Sequence, residues 1–176
     1  MPHEHVTSDS KVGGRARTLV ALGIGVVFAV LVGAAIATPG VGILTGTVHA
    51  RGTLGEDQLV NSKSGVHLKT KGSVDLVTQQ VVIAGGGNTG WHSHPGPVLV
   101  TVKSGALRLI YADDATCDGT VYEAGDSFID RGDEVIHIAR NESLTNNVEL
   151  WTTYFVPGDP VTAPFRIDAS PAPSSC

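Results

Sequence analysis

The feature that most constrains the fold of this chain is a pair of histidines one residue apart, within residues 90–98 (GWHSHPGPV). Side chains alternate between the two faces of an extended strand, so His92 and His94 point to the same side. Neutral imidazoles bind zinc, copper, iron or nickel, and two on one face provide half of a metal site. The candidate for the third ligand is His137, in a second strand-like segment at 134–141 (EVIHIARN). Taken singly, each is more often a loop histidine or a hydrogen-bonded core histidine.

These two segments resemble the two sequence motifs of the cupin family. The first motif is a glycine, a His-x-His pair and a closing glycine, which are here Gly86, His92 with His94, and Gly105. The second motif is a glycine, a turn, a histidine and an asparagine, which are here Gly125, residues 130–133, His137 and Asn141. The turn (DRGD) is one residue longer than the family's Pro-x-Gly and lacks its proline. The resemblance covers residues 61–160 and implies an all-β fold, a single cupin jelly-roll barrel.

One position departs from the family pattern. Counted back from Gly105, the family's glutamate ligand falls on Val98. Alternation puts Val98, Val100 and Val102 on the face of His94, whereas Lys103 lies on the opposite face and favours water. We therefore expect Val98 and Val100 to line the pocket. The resemblance then implies a three-histidine site without a carboxylate for a divalent transition metal (Fe, Zn, Mn, Ni or Cu).

The second constraining feature is a run of 20 uncharged, mostly apolar residues at 18–37. As a helix this run is about 30 Å long, enough to cross a bilayer core. Because Lys11, Arg15 and Arg17 precede it, we expect the N-terminus to stay in the cytoplasm and the following domain to be extracytoplasmic. The A-x-A pattern at 35–37 leaves open a signal segment cleaved near Ala37, with a secreted product. The length of the run favours a retained single-pass anchor in the cell membrane.

The remaining chain divides by composition and pattern. Strand-like segments recur at short, even intervals between Gly, Asp and Pro, which is typical of an antiparallel barrel or jelly roll. A glycine-rich segment at 85–90 contains G-x-G-x-x-G, but no helix follows, so we interpret it as a turn that delivers the histidines. The predicted organisation is a cytoplasmic polar tail (1–17), one hydrophobic helix as a transmembrane anchor or signal segment (18–38), a linker and first strand (39–60), the barrel (61–160) and a Pro/Ser/Ala-rich tail (161–176).

Charge and cysteine content narrow the functional classes. The net charge of −5 and the absence of a basic cluster argue against a nucleic-acid partner. Cys117 and Cys176 are the only cysteines. In an exported domain they are candidates for a disulfide, and two separate thiols are the alternative.

The resemblance leaves two functional hypotheses open. Cupins include oxygenases, isomerases and oxalate-degrading enzymes, so a metal-dependent small-molecule oxygenase or isomerase is the first. The second is a non-catalytic barrel at the membrane that binds a small ligand or acts as a scaffold, with or without metal at its histidines. No second acid–base pair is legible in the sequence, so catalytic residues stay unassigned. The expected partners are a small molecule and, through residues 18–38, the membrane; a homodimer is compatible with either hypothesis.

Overall fold

The computed structural model describes residues 38–158, 163–174 and 176, and the regular secondary structure in these ranges is entirely β-strand. The strands in chain order are β1 Val41–Leu54, β2 Leu59–Asn61, β3 His67–Lys69, β4 Val74–Asn88, β5 His92–Ser93, β6 Val98–Ser104, β7 Ala106–Tyr111, β8 Thr120–Glu123, β9 Ser127–Asp130, β10 His137–Arg140, β11 Val148–Pro157 and β12 Ile167–Asp168. A search of these residues finds no helix with the length and apolar character needed to span a membrane. The predicted membrane segment lies outside them except for Thr38.

The strands form a nearly closed antiparallel barrel. One wall has the order β1-β4-β11-β6-β9, and the other has the order β12-β5-β10-β7-β8. The walls join where Arg140 of β10 pairs with Asn88 of β4. β2 and β3 form a separate hairpin. The all-β prediction is confirmed for the described residues.

The barrel interior is filled by the alternate side chains of its central strands. In β6 the three valines at 98, 100 and 102 are buried, while Leu99, Thr101 and Lys103 are exposed. β11 repeats the alternation over its length. Because a one-residue slip would send these valines to water, this pattern determines which face of the strand is internal.

The structure extends the barrel beyond 61–160 at its N-terminal side. β1 pairs with β4 along its length, from Val41 opposite Asn88 to Leu54 opposite Val74. Most of β1 is exposed, because it lies at the edge of its wall and covers little of the core. Most of the segment predicted as a linker and first strand (39–60) is therefore the single strand β1 of this sheet.

The glycine-rich segment also differs from its prediction. β4 continues through Gly85, Gly86 and Gly87 to Asn88 instead of ending in a turn. Gly86 has a φ of 72°, and β1 shifts its register opposite this end of β4. Glycine is needed here because a Cβ at Gly87 would lie 2.7 Å from the carbonyl oxygen of Val41. The turn occurs only at residues 89–91, just before His92.

The C-terminal segment packs on the barrel. Ile167 and Asp168 pair with Ser93 and His92 of β5. Cys117 and Cys176 form a disulfide, which ties the end of the chain to the loop after β7. The segment predicted as a tail thus supplies an edge strand next to the histidines.

Candidate metal centre

Three histidines from two neighbouring strands meet inside the barrel. His92 begins β5 and pairs directly with His137, which begins β10, while His94 follows β5 by one residue. All three are buried, and each offers one ring nitrogen to a cluster whose members lie within 4.8 Å of one another. That spread is wider than the roughly 3–4 Å expected from imidazole–metal bonds of about 2.1 Å. The structure thus brings the three predicted histidines together, with ring nitrogens somewhat farther apart than those of one bound ion.

The orientation of the three rings is set by backbone carbonyls. Nδ1 of His92 lies 2.9 Å from the carbonyl oxygen of Gly90, and Nδ1 of His137 lies 3.2 Å from that of Val135. Nδ1 of His94 bonds the carbonyl oxygen of Phe165, 71 residues away. Since a carbonyl only accepts, each Nδ1 carries the proton and donates it. Nε2 is therefore the nitrogen of each ring that faces the cluster, the arrangement that metal-binding histidines commonly show.

Burial keeps two of the rings neutral. Loss of solvent, followed by the nearby His137, lowers the pKa of His94 from 6.5 to about 4. The pKa of His92 is lowered well below its usual value, first by burial and then by the charges of His137 and Arg166. A neutral imidazole is the form that binds a metal, so protons do not compete for these two rings near neutral pH.

The three histidines form the group that could hold a metal ion, and a buried carboxylate that the sequence analysis did not single out lies against two of them. Oδ2 of Asp130, the last residue of β9, is 2.9 Å from Nε2 of His137 and 3.9 Å from Nε2 of His94. Burial acts to raise the pKa of Asp130, but the contact with His137 and its charge outweigh burial, and the pKa is lowered. The sequence argument considered only the position of Val98, whereas this acid comes from the strand paired with it.

The sequence carried one signal for Asp130. In β9, alternation places Phe128 and Asp130 on one face and the exposed Ile129 on the other, so an acidic residue faces inward. No comparable signal exists for Phe165, which acts through its backbone carbonyl. The turn after Asp130 is held tightly, since Gly132 has a φ of 67° and packs on the backbone of Gly96.

Two adjoining cavities give the cluster its surroundings. A cavity of about 50 Å³ is lined by the three histidines and Asp130, together with Val98 and Val100. A second cavity of about 400 Å³ shares Val81, Thr89, His92 and Tyr154 with the first. Its other lining residues include Ile43, Phe165, Arg166 and Asp168. The space beside the cluster thus has the size for a small molecule and a mostly apolar wall with an arginine–aspartate pair.

The donor set fits a divalent transition metal. Three neutral imidazoles from rigid strands match the ligands that iron, zinc, nickel and copper accept, and the valines exclude water on one side. His92, His94 and His137 would hold the ion. Such an ion would act as a Lewis acid toward a ligand in the larger cavity.

Comparison with known proteins identifies neighbours only among solved structures. No protein-family model matches the chain. No curated protein matches it either. The chain is similar to an uncharacterised double-stranded β-helix protein from Klebsiella pneumoniae, with 22% identity over 53% of this chain and 74% of that chain, and a TM-score of 0.43.

Two further solved structures show the range of the neighbours. A cupin superfamily protein from Desulfitobacterium hafniense is 11% identical over 62% of this chain and 81% of that chain, with a TM-score of 0.40. A polyketide cyclase from Streptomyces resistomycificus is 14% identical over 44% of this chain and 52% of that chain, with a TM-score of 0.39. At these identities and TM-scores the likenesses carry no inference about activity. The structural neighbours of this all-β barrel are cupin and double-stranded β-helix proteins.

Proposed function

We propose that this protein binds a divalent transition metal through His92, His94 and His137 and uses it to hold a small molecule in the adjoining cavity. The observation that carries the proposal is the common orientation of the three rings. Each Nδ1 is bonded to a backbone carbonyl, so the three Nε2 atoms are available to one buried centre. This preorganisation lowers the cost of arranging the ligands when an ion binds.

The number of histidines in the site suggests a chelating small molecule as the ligand of the metal. A metal with three imidazole ligands keeps further coordination positions, which a small molecule with two donor atoms can occupy. The hydroxyl of Tyr154 donates to Oε1 of Gln79 at 2.8 Å, which holds the tyrosine ring against the cluster. We propose a small-molecule oxygenase or isomerase as the reaction class, with a non-catalytic ligand-binding barrel as the alternative.

We also propose that the barrel lies outside the cytoplasm, anchored by residues 18–38 or released by cleavage near Ala37. The basic residues before the apolar run support this orientation, and the disulfide between Cys117 and Cys176 is of the kind found in oxidising compartments. A reporter active only in the cytoplasm, fused after Cys176, should be inactive. Cytoplasmic activity of that fusion would contradict this location.

The metal proposal is tested by metal content and affinity of the purified full chain. Wild-type protein with its disulfide intact, loaded without chelator or reductant and then freed of excess ion, should retain about one equivalent of a divalent transition metal. His92→Ala/His137→Ala should remove this binding while the far-ultraviolet circular dichroism stays that of a β protein. His67→Ala, at an exposed histidine in the separate hairpin, is the control and should bind as wild type does. Wild-type protein that takes up no such metal would refute the proposal.

A further inference from the structure

We propose that Asp130 is a fourth protein ligand of the metal, so that the centre is a three-histidine, one-carboxylate site whose acid comes from β9. This inference rests on the proposed metal-binding function. The position that carries the family's glutamate is Val98, and Asp130 is its direct partner across the β6–β9 pair. Cross-strand partners project to the same face of a sheet. The two positions therefore present their side chains to the same part of the barrel interior.

The distance between Asp130 and His137 fits coordination of one ion by both residues. Two ligands bonded at about 2.1 Å to the same ion lie about 3.0 Å apart at a right angle and about 3.4 Å apart in a tetrahedron. Oδ2 of Asp130 lies 2.9 Å from Nε2 of His137 and 3.9 Å from Nε2 of His94. The separation from His137 thus matches the spacing of two ligands of one ion, and the separation from His94 is about 0.5 Å longer than that spacing.

The ring nitrogen of His137 that faces Asp130 is Nε2, because Nδ1 donates to the carbonyl of Val135. Either a proton or a metal ion between Nε2 and Oδ2 accounts for their separation of 2.9 Å. A metal ion at this place would also have the ring nitrogens of His92 and His94 beside it, since the three nitrogens lie within 4.8 Å of one another.

The surroundings of Asp130 direct its Oδ2 atom toward the histidines, where it could bind the metal ion. Its other oxygen, Oδ1, accepts the backbone N–H of Gly132 at 3.1 Å, which holds the carboxylate plane. Among the described residues, the ion-pair contacts of Asp130 are with His94 and His137 alone, and the neighbouring Arg131 pairs with Asp113. Only 3% of the residue is exposed. A buried carboxylate is paired with a positive group or binds a metal ion, and the partners of Asp130 are histidines of the cluster itself.

A carboxylate ligand changes the charge of the centre. Three neutral imidazoles leave a divalent ion with its full charge of two, and one carboxylate halves it. Carboxylate oxygen favours iron, manganese and zinc over softer ions such as copper(I). The site is therefore expected to prefer those ions and to keep room for a second, anionic donor from a chelating small molecule.

A metal-loaded crystal structure of the full-length wild-type protein tests the inference without any substitution. With Zn²⁺ or Mn²⁺ as the probe, we expect Oδ2 of Asp130 within about 2.0–2.2 Å of the ion, together with three imidazole nitrogens. An ion held by the three histidines, with Asp130 more than about 3 Å away, would overturn it and leave the proposed metal site intact. Failure of the wild type to bind metal would instead overturn the proposed function, and the inference with it.

Affinity measurements on matched variants give a second readout. Asp130→Asn keeps the shape and removes the charge, and we expect it to weaken Zn²⁺ binding at least tenfold in a chelator competition. Asp133→Asn, three residues away and exposed, is the control and should bind as wild type does. Adding Val98→Glu to Asp130→Ala should restore much of the affinity, since the acid returns from the paired strand. Wild-type affinity of a folded Asp130→Asn protein would contradict the inference.

Discussion

Single residues in the cluster couple the stability of the barrel to pH. His94 in the folded protein has a pKa of about 4, because burial disfavours the imidazolium, whereas an exposed histidine has a pKa near 6.5. Below pH 6.5 the His94 side chain binds a proton in the unfolded chain, whereas in the folded protein it stays neutral until about pH 4. This contribution to stability is therefore fully present above pH 6.5 and is lost as the pH falls through that window. His92 acts in the same direction.

The first prediction is that metal-free protein loses stability between pH 6.5 and pH 4. The shift at His94 corresponds to roughly 3 kcal/mol of unfolding free energy over this window. Urea denaturation in the presence of a chelator measures it. His94→Gln should flatten the pH dependence, while His67→Gln, at an exposed ring, should leave it as in wild type. A wild-type profile that is flat from pH 7 to 4 would contradict the prediction.

Asn141 is a second residue whose single side chain joins separate parts of the barrel. Its Nδ2 lies 2.8–3.0 Å from the carbonyl oxygens of Ile83, Ala84 and Asn146, and its Oδ1 accepts the N–H of Ser143. The residue is 2% exposed. This amide closes the loop after β10 onto β4, next to the glycines, and thereby supports the strand that carries His137.

The second prediction is that Asn141→Ala destabilises the protein by about 2–3 kcal/mol, because one buried and two partly buried carbonyl oxygens lose their donor. Thermal or urea unfolding measures the loss. Asn147→Ala, at an exposed asparagine in the same loop, is the control and should change stability by less than about 0.5 kcal/mol. Equal effects of the two substitutions would show that the amide network has no structural role.

At the level of elements, the turn between β9 and β10 places Asp130 beside His94. Gly132, Asp133 and Glu134 all have positive φ, which reverses the chain sharply after Asp130. A Cβ at Gly132 would lie 2.1 Å from the carbonyl carbon of Gly96, two residues after His94. The two backbones therefore touch, and this contact determines the spacing between the carboxylate and the histidines.

The third prediction compares two glycines of nearly equal conformation. Gly72 has a φ of 71° and open space around it, whereas Gly132 has a φ of 67° and a backbone contact. Gly72→Ala should cost about 1–2 kcal/mol for the left-handed conformation alone. Gly132→Ala should cost about 1–3 kcal/mol more because of the added clash, and should weaken metal binding. Urea denaturation and chelator competition measure both effects, and equal stability losses would contradict the assigned contact.

On the scale of the whole molecule, the C-terminal segment connects the disulfide to the metal centre. β12 pairs with the strand that carries His92, and the carbonyl of Phe165 accepts the Nδ1 proton of His94. The same segment contributes Phe165, Arg166 and Asp168 to the larger cavity. The disulfide at Cys176 holds the far end of this segment on the barrel.

The fourth prediction is that Cys176→Ser lowers both stability and metal affinity. In the chain-entropy description, a cross-link between residues 59 apart lowers the conformational entropy of the unfolded chain and so raises the free energy of unfolding by roughly 4 kcal/mol. Without it, the segment is less firmly held and the carbonyl of Phe165 orients His94 less well. Denaturation and chelator competition measure the two effects. Cys117→Ser and reduced wild type should behave alike, and a variant with wild-type stability and affinity would refute the coupling.

Period-two alternation made part of the site predictable from the sequence. It places His92 and His94 on one face and turns the valines of β6 inward, and both depend only on residues adjacent in the chain. The resemblance of the motifs then indicated His137 as the third histidine, which the structure pairs with His92.

Contacts between distant segments were decided by the tertiary structure alone. Alternation tells which face of a strand is internal, but not which strands become neighbours or in which register they pair. The carboxylate of Asp130 reaches the histidines because β9 pairs with β6, and β1 joins the barrel because it follows β4 past the glycines. Phe165 contacts His94 through its backbone carbonyl, so no pattern of side chains in the sequence predicts this contact. The sequence by itself determined the face that carries the histidines, and strand pairing decided which groups complete their environment.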